Sequence, residues 1–142
     1  MPYNFRKNTK RQKYGNSKVE FEGIKFDSKK EMQRFVILKE AEKNGIISNL
    51  ELQIRFELIP AIKEEYIEHL KTKDKVKTRT LQLPITYTCD FRYIKNGETI
   101  VEDVKASPKM ASLDKAFLLK EKIFRWRFGY PIKRVYKPND DV

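Results

Sequence analysis

The chain has 142 residues, 39% hydrophobic and 12% aromatic, with a formal net charge of +11 at pH 7. That length fits one domain with one modest core, and the lack of an 18-residue apolar run or an apolar N-terminal core predicts neither a membrane span nor a secretory leader. A single cysteine, Cys89, and a single histidine, His69, exclude an intrachain disulfide, a cysteine-based zinc site and a multi-histidine metal site. The positive charge is clustered, which points to a polyanionic partner and an expected cytoplasmic location; the plainer alternative is charge that only aids solubility.

Residues 1–18 form a basic arm. Arg6, Lys7, Lys10, Arg11, Lys13 and Lys18 supply six of the eleven net charges, and the arm contains no acid. Tyr3, Phe5 and Tyr14 are interleaved with them, as expected of a segment that orders on a phosphate backbone; a disordered solubilising end is the alternative. Val19, Phe21, Ile24 and Phe26 then suggest a short hairpin turning at Glu22-Gly23. Ser28 and Glu31 have the spacing of a capping box, so a helix begins here and stops at Asn44-Gly45. Met32, Phe35, Val36 and Leu38 are its expected buried stripe.

Residues 46–50 read as a linker or short strand. Leu52, Ile54, Phe56 and Leu58 alternate with Gln53, Arg55 and Glu57, a strand that ends before Pro60. In residues 61–80, Ile62, Tyr66, Ile67 and Leu70 suggest turns of an amphipathic helix. Lys71, Lys73, Lys75, Lys77 and Arg79 follow with Asp74 as the one acid among them. That run is either a DNA-contacting protrusion or a solvated loop or hairpin arm.

A long β-hairpin follows. Tyr87, Cys89, Phe91 and Tyr93 alternate with Thr86, Thr88, Asp90 and Arg92, with Pro84 at the strand start. Asn96-Gly97 supplies the pair of positive φ angles that a type I′ turn needs. On the return strand Asp103 and Lys105 share a face, and twist can bring Asp90 near them. A carboxylate in so β-rich a run is costly to bury unless it is paired or binds metal. A salt bridge to Arg92 or Lys105 is the structural alternative for Asp90. After Ala106-Ser107-Pro108, with Ser107 or Ser112 as cap, a helix is expected to run to Phe128, stopped by Gly129 and Pro131. Leu113, Ala116, Phe117, Lys120, Ile123 and Phe124 share one of its faces. Lys120 there either snorkels to solvent or reaches a scissile phosphate. Trp126 is expected to close the core or a dimer contact. Residues 132–136 read as a last strand and 137–142 as a tail.

The run Asp90…Asp103-Val104-Lys105, with the upstream helix glutamate, the intervening turn and the basic helix that follows, resembles the PD-(D/E)XK nuclease superfamily. Within it, GIKFDSKKE, Leu50-x-x-Gln53 and VEDVKA are similar to a phage-encoded branch related to Holliday junction resolvases and the TnsA-type transposon endonuclease. Cys89 stands where the motif often has proline. The resemblance covers residues 14–136 and implies a nuclease domain over residues 19–136, with a basic insertion near 61–80. It implies an α/β restriction-endonuclease-like core, a central mixed β-sheet flanked by helices. It also implies a Mg²⁺-dependent DNA endonuclease, with Mn²⁺ as the alternative metal. Asp90, Asp103, Glu31 and the Val104 carbonyl would hold the metal, and Lys105 would handle the nucleophile or the transition-state charge. Glu31 keeps its second reading as a helix cap. Gln53 and Lys120 are secondary candidates; a solvated edge is the other reading of Gln53. Arg6, Lys7, Lys10, Arg11, Lys13, Lys73, Lys75, Lys77 and Arg79 are the candidate nucleic-acid contacts. Branched DNA as substrate, a homodimer as active form, phage recombination or replication as setting and the host cell cytoplasm as location are further implications. The alternative function is a non-catalytic basic nucleic-acid-binding protein.

Overall fold

The structure is a computed structural model describing residues 17–142. Residues 1–16 of the basic arm, with Arg6, Lys7, Lys10, Arg11 and Lys13, lie outside the described residues. The fold is α/β, with a mixed sheet between helical layers. A short hairpin, β1 (Val19–Phe21) and β2 (Ile24–Phe26), turns through Glu22 and Gly23, both at positive φ. Helix α1 (Lys29–Lys43) follows. Ser28 caps it by accepting from the Glu31 amide at 3.1 Å, and Asn44 ends it. One position on its buried face differs from the hydrophobic pattern. Arg34 is buried where Val36 was expected, and Val36 is exposed.

Strand β3 (Ser48–Leu52) and β4 (Arg55–Ile59) are two pieces of the strand expected as one. Residues 61–80 are not helical. They form β5 (Ile62–His69) and most of β6 (Asp74–Gln82), a long antiparallel hairpin paired from Ile62–Gln82 to His69–Asp74. The spacing of Ile62, Tyr66, Ile67 and Leu70 mimicked a helix. Ile67 faces Val76 across the ladder, and the β-branched and aromatic residues of the two strands, Ile62, Tyr66, Ile67, Val76, Thr78 and Thr80, favour the sheet instead. Then come β7 (Ile85–Thr88), β8 (Phe91–Lys95) and β9 (Glu98–Val104), with Pro84 just before β7. Asn96 (φ 51°) and Gly97 (φ 78°) make the expected two-residue turn between β8 and β9. Ser107 caps α2 (Pro108–Leu113), and Asp114 separates it from α3 (Lys115–Phe128). One helix therefore became two, and Leu113 and Ala116, placed on its buried face by periodicity, are exposed. Strand β10 (Lys133–Val135) closes the chain's regular structure.

The central sheet has the order β10-β9-β8-β3, with β10 parallel to β9 and the other pairs antiparallel. Helix α1 covers one side, where Phe26, Phe35, Leu38, Phe91 and Tyr93 pack. Helix α3 covers the other, where Tyr87, Cys89, Val101, Phe117 and Phe124 pack. Side chains on an unbroken strand alternate faces, so residues 87, 89, 91 and 93 were expected together. They are not: the first two face α3 and the last two face α1. The same inversion occurs next door, where Leu50 and Leu52 pack toward α1 while Ile54 and Phe56 pack toward α3. The two neighbouring strands break at one level, at Gln53 and Asp90. Backbone bonds Gln53 N–H to Asp90 O (3.1 Å) and Cys89 N–H to Ile54 O (2.9 Å) stitch the breaks together. A one-residue irregularity swaps every later side chain to the other face. The expected common face of Thr86, Thr88, Asp90 and Arg92 therefore does not exist. Strand β9 runs through unbroken and presents Ile100, Glu102 and Val104 toward α1, and Val101 and Asp103 toward α3.

The tail 137–142 docks rather than dangling. Arg34, fully buried, pairs with buried Glu102 at 2.5 Å and donates to the carbonyls of Pro138 (3.1 Å), Asp140 and Asp141. Tyr93 donates its hydroxyl to the same Glu102 at 2.6 Å. Partners on every side let an ion pair persist in the core.

Candidate metal-dependent active site

The site sits at the double break. With β8 interrupted, Asp90 is released from the pleat. Its Oδ2 accepts the Val104 amide at 2.7 Å, in place of the carbonyl a regular ladder would offer. Asp103, on β9, faces the α3 side and accepts from the Tyr87 hydroxyl at 2.7 Å. Glu31 comes from the other layer, one turn into α1, where its carboxylate accepts the Asp27 amide at 3.2 Å. Asp90 therefore lies between an acid from each side of the sheet. Burial, the Asp103 charge and the Glu31 charge together push it up to about 8. Burial also raises Glu31, opposed by a hydrogen bond from Asp90. Three neighbouring carboxylates cannot all ionise cheaply, so the Asp90–Glu31 pair favours retaining a proton between them. The capping reading of Glu31 holds, since its amide is bound by Ser28, and its carboxylate lies beside Asp90 and Asp103.

Lys105 completes the constellation. Its Nζ is 3.1 Å from Asp103 Oδ1 and 3.8 Å from Asp114, and it stands 3.7 Å over the Phe117 ring. The aromatic face holds the ammonium without consuming a hydrogen bond. Lys30 donates to the carbonyls of Lys105 (3.3 Å) and Ala106 (2.9 Å), tying the end of β9 to α1. A cavity of about 220 Å³ opens there, bordered by Ser28, Lys30, Glu31 and Val104.

Gln53 reaches the cluster by its own route. It is held at φ 53°, and its Nε2 lies 3.5 Å from Asp90 Oδ1, a long contact. Lys120 is not brought in by any hydrogen bond or ion pair among the described residues. Of the remaining basic candidates, Lys77 pairs with Glu68 and Arg79 with Glu64 across the β5–β6 hairpin, while Lys75 stands opposite Glu68 and Lys73 lies in the turn. The acidic strand β5 thus offsets much of the charge that residues 71–79 carry. Asp90 makes no salt bridge to Arg92, which pairs with Glu51.

Sequence reasoning missed Tyr87, Lys30 and Asp114. Tyr87 carried no signal, because three residues before Asp90 on a regular strand it belongs to the opposite face. Lys30 was one cation among many. Asp114 was legible as a cap, since its Oδ1 accepts the Phe117 amide at 3.0 Å. Cys89 takes no part; burial pushes its thiol up to about 11.

Among the described residues no group of three or more His, Cys, Asp and Glu forms a ready-made metal cage. The donor set is two aspartates with a glutamate behind them, all hard oxygen ligands. Mg²⁺ is commonly held by one or two carboxylates with water and substrate phosphate as the other ligands, so these residues fit it. None of the curated proteins and none of the solved structures matches the chain. A family model does match residues 11–137, nearly the whole length and all of the site, and the chain belongs to that family, described as a protein of unknown function (DUF1064).

Proposed function

We propose that this protein is a metal-dependent DNA endonuclease that hydrolyses phosphodiester bonds, with branched DNA, such as a Holliday junction, as its substrate. The observation that carries the reading is Asp90: a carboxyl set between Asp103 and Glu31 and pushed up to about 8 by burial and by their charges, with the Lys105 ammonium paired to Asp103 instead. A divalent ion bound there would polarise the phosphate and acidify a water. Asp90 and Asp103 would hold it, with Glu31 and the Val104 carbonyl as further candidate ligands. Tyr87 fixes the carboxylate plane of Asp103. Lys105, 3.1 Å from Asp103, steadies the charge that grows on the attacked phosphate or orients the water. The PD-(D/E)XK resemblance supports the same roles. A homodimer would present two such sites to the paired strands of a junction. A cytoplasmic setting, in the host cell for a phage-encoded protein, suits that substrate.

The test is cleavage of linear, flapped and four-way DNA with Mg²⁺ or Mn²⁺. Asp103→Ala and Lys105→Ala should each abolish cutting while DNA binding survives. Full cutting by both variants would refute the assignment. Binding that is indifferent to EDTA, with no cutting by the parent protein on any substrate, would instead identify a non-catalytic nucleic-acid-binding protein.

A further inference from the structure

Helix α3 carries a second feature. Lys115, Leu119, Lys122 and Trp126 recur at i, i+4, i+7 and i+11, within about 60° of one helical face. That face is opposite buried Phe117 and Phe124, so it looks outward. Trp126 is 82% exposed and Leu119 58%, which corrects the expectation that Trp126 closes the core. Arg125 flanks the row. Among the described residues, no hydrogen bond or ion pair engages the side chains of Lys115, Lys122 or Arg125. The helix's one acid, Glu121, is held aside by Arg134 at 2.6 Å. The row is also continuous with the site. Lys105, Met110, Leu113, Asp114 and Lys115 line a cleft of about 410 Å³. From Lys115, Trp126 stands about 17 Å farther along the axis.

We propose that this face is a track for single-stranded DNA, leading from Lys105 along α3, with Lys115, Lys122 and Arg125 on backbone phosphates and Trp126 stacked on an unpaired base. The proposal rests on the nuclease reading and sharpens it, because it names an unpaired strand as the recognised feature of the substrate. Charge complementarity selects the occupant: the face of α3 offers cations and apolar surface, and the one acid at its start, Asp114, is engaged by the Phe117 amide (3.0 Å) and lies 3.8 Å from Lys105. The indole selects the strand form. It needs the face of a base, which neighbouring pairs cover in a duplex, whereas lysine and arginine serve either form.

Trp126 is the only tryptophan, so its emission reports on the face directly. The full chain, in EDTA, is titrated with oligothymidylate and with a blunt duplex of equal length. Emission should be quenched by the strand and little changed by the duplex. Trp126→Ala should weaken strand binding about tenfold, within the usual range for one stacked base, and leave duplex binding nearly unchanged. Lys122→Glu should weaken both. Thermal melts of each variant confirm an intact fold, as expected for exposed positions. Unchanged emission at saturating strand, or equal losses on strand and duplex, overturns the proposal. So does a concentration-dependent blue shift with doubled mass and no response to DNA, which would mean a second copy covers Trp126. Cutting without quenching sinks this proposal alone, and quenching without cutting sinks the nuclease reading alone.

Discussion

Replacing Asp90 by asparagine should stabilise the metal-free protein, and only above acid pH. Asparagine keeps the oxygen that accepts the Val104 amide and gains an N–H for Glu31, but it cannot ionise. In the unfolded chain an aspartate titrates near 4, whereas in the folded protein Asp90 titrates at about 8. Between those values the folded state keeps a proton that the unfolded chain has released. Unfolding therefore becomes easier as pH rises, by at most about 1.4 kcal/mol per pH unit, and the loss levels off above the folded value. Three units would amount to about 4 kcal/mol at pH 7; the carboxyl is partly exposed, so solvent screening reduces this to the order of 2 kcal/mol. Urea unfolding in EDTA at pH 5, 6, 7 and 8 measures it. The variant should gain steadily on the parent across that window and match it near pH 4. A gap that does not change with pH, or a variant less stable than the parent at pH 8, would refute the electrostatic account of the site.

Other outcomes follow from the same coordinates. Millimolar Mg²⁺ or Mn²⁺ should raise the parent's melting temperature at pH 7.5, corresponding to roughly 2–3 kcal/mol at a hundredfold excess over Kd, and should leave Asp90→Asn nearly unmoved; an equal rise in both would place the ion elsewhere. Arg34→Met strands buried Glu102 and should cost about 3–5 kcal/mol in urea unfolding, while the double change Arg34→Met with Glu102→Leu should recover most of it. Tyr87→Phe removes one hydrogen bond to Asp103 and should cost about 1–2 kcal/mol in stability, with cleavage by the proposed nuclease falling relative to binding. Gln53→Gly should be nearly neutral or stabilising, because φ 53° suits glycine, whereas Gln53→Val should destabilise by about 1–2 kcal/mol; thermal melts separate the two.

Much of the chain could be read in order. Local rules place the Glu22-Gly23 and Asn96-Gly97 turns, the Ser28 cap, the stop at Asn44-Gly45 and, at the end of β9, Asp103 on the same side as Lys105, 3.1 Å from it. Each depends on residues within a few positions of one another, so neighbours in sequence suffice to decide it. The PD-(D/E)XK pattern also drew attention to Glu31, Asp90 and Asp103, three acids the structure brings into one electrostatic cluster. Hydrophobic spacing failed where two strands had to be compared. Nothing between Leu52 and Ile54, or between Cys89 and Phe91, announces a break, since alternation continues through both. The inversion of faces becomes stable only because Gln53 and Asp90 break together and satisfy one another's backbone. Arg34 in a core, Tyr87 on Asp103 and Lys105 on Phe117 are likewise partnerships across 68, 16 and 12 positions. Period and propensity fix what a segment tends to be. Which buried charge finds its partner, and whether two carboxylates meet, depends on how the layers close over the sheet.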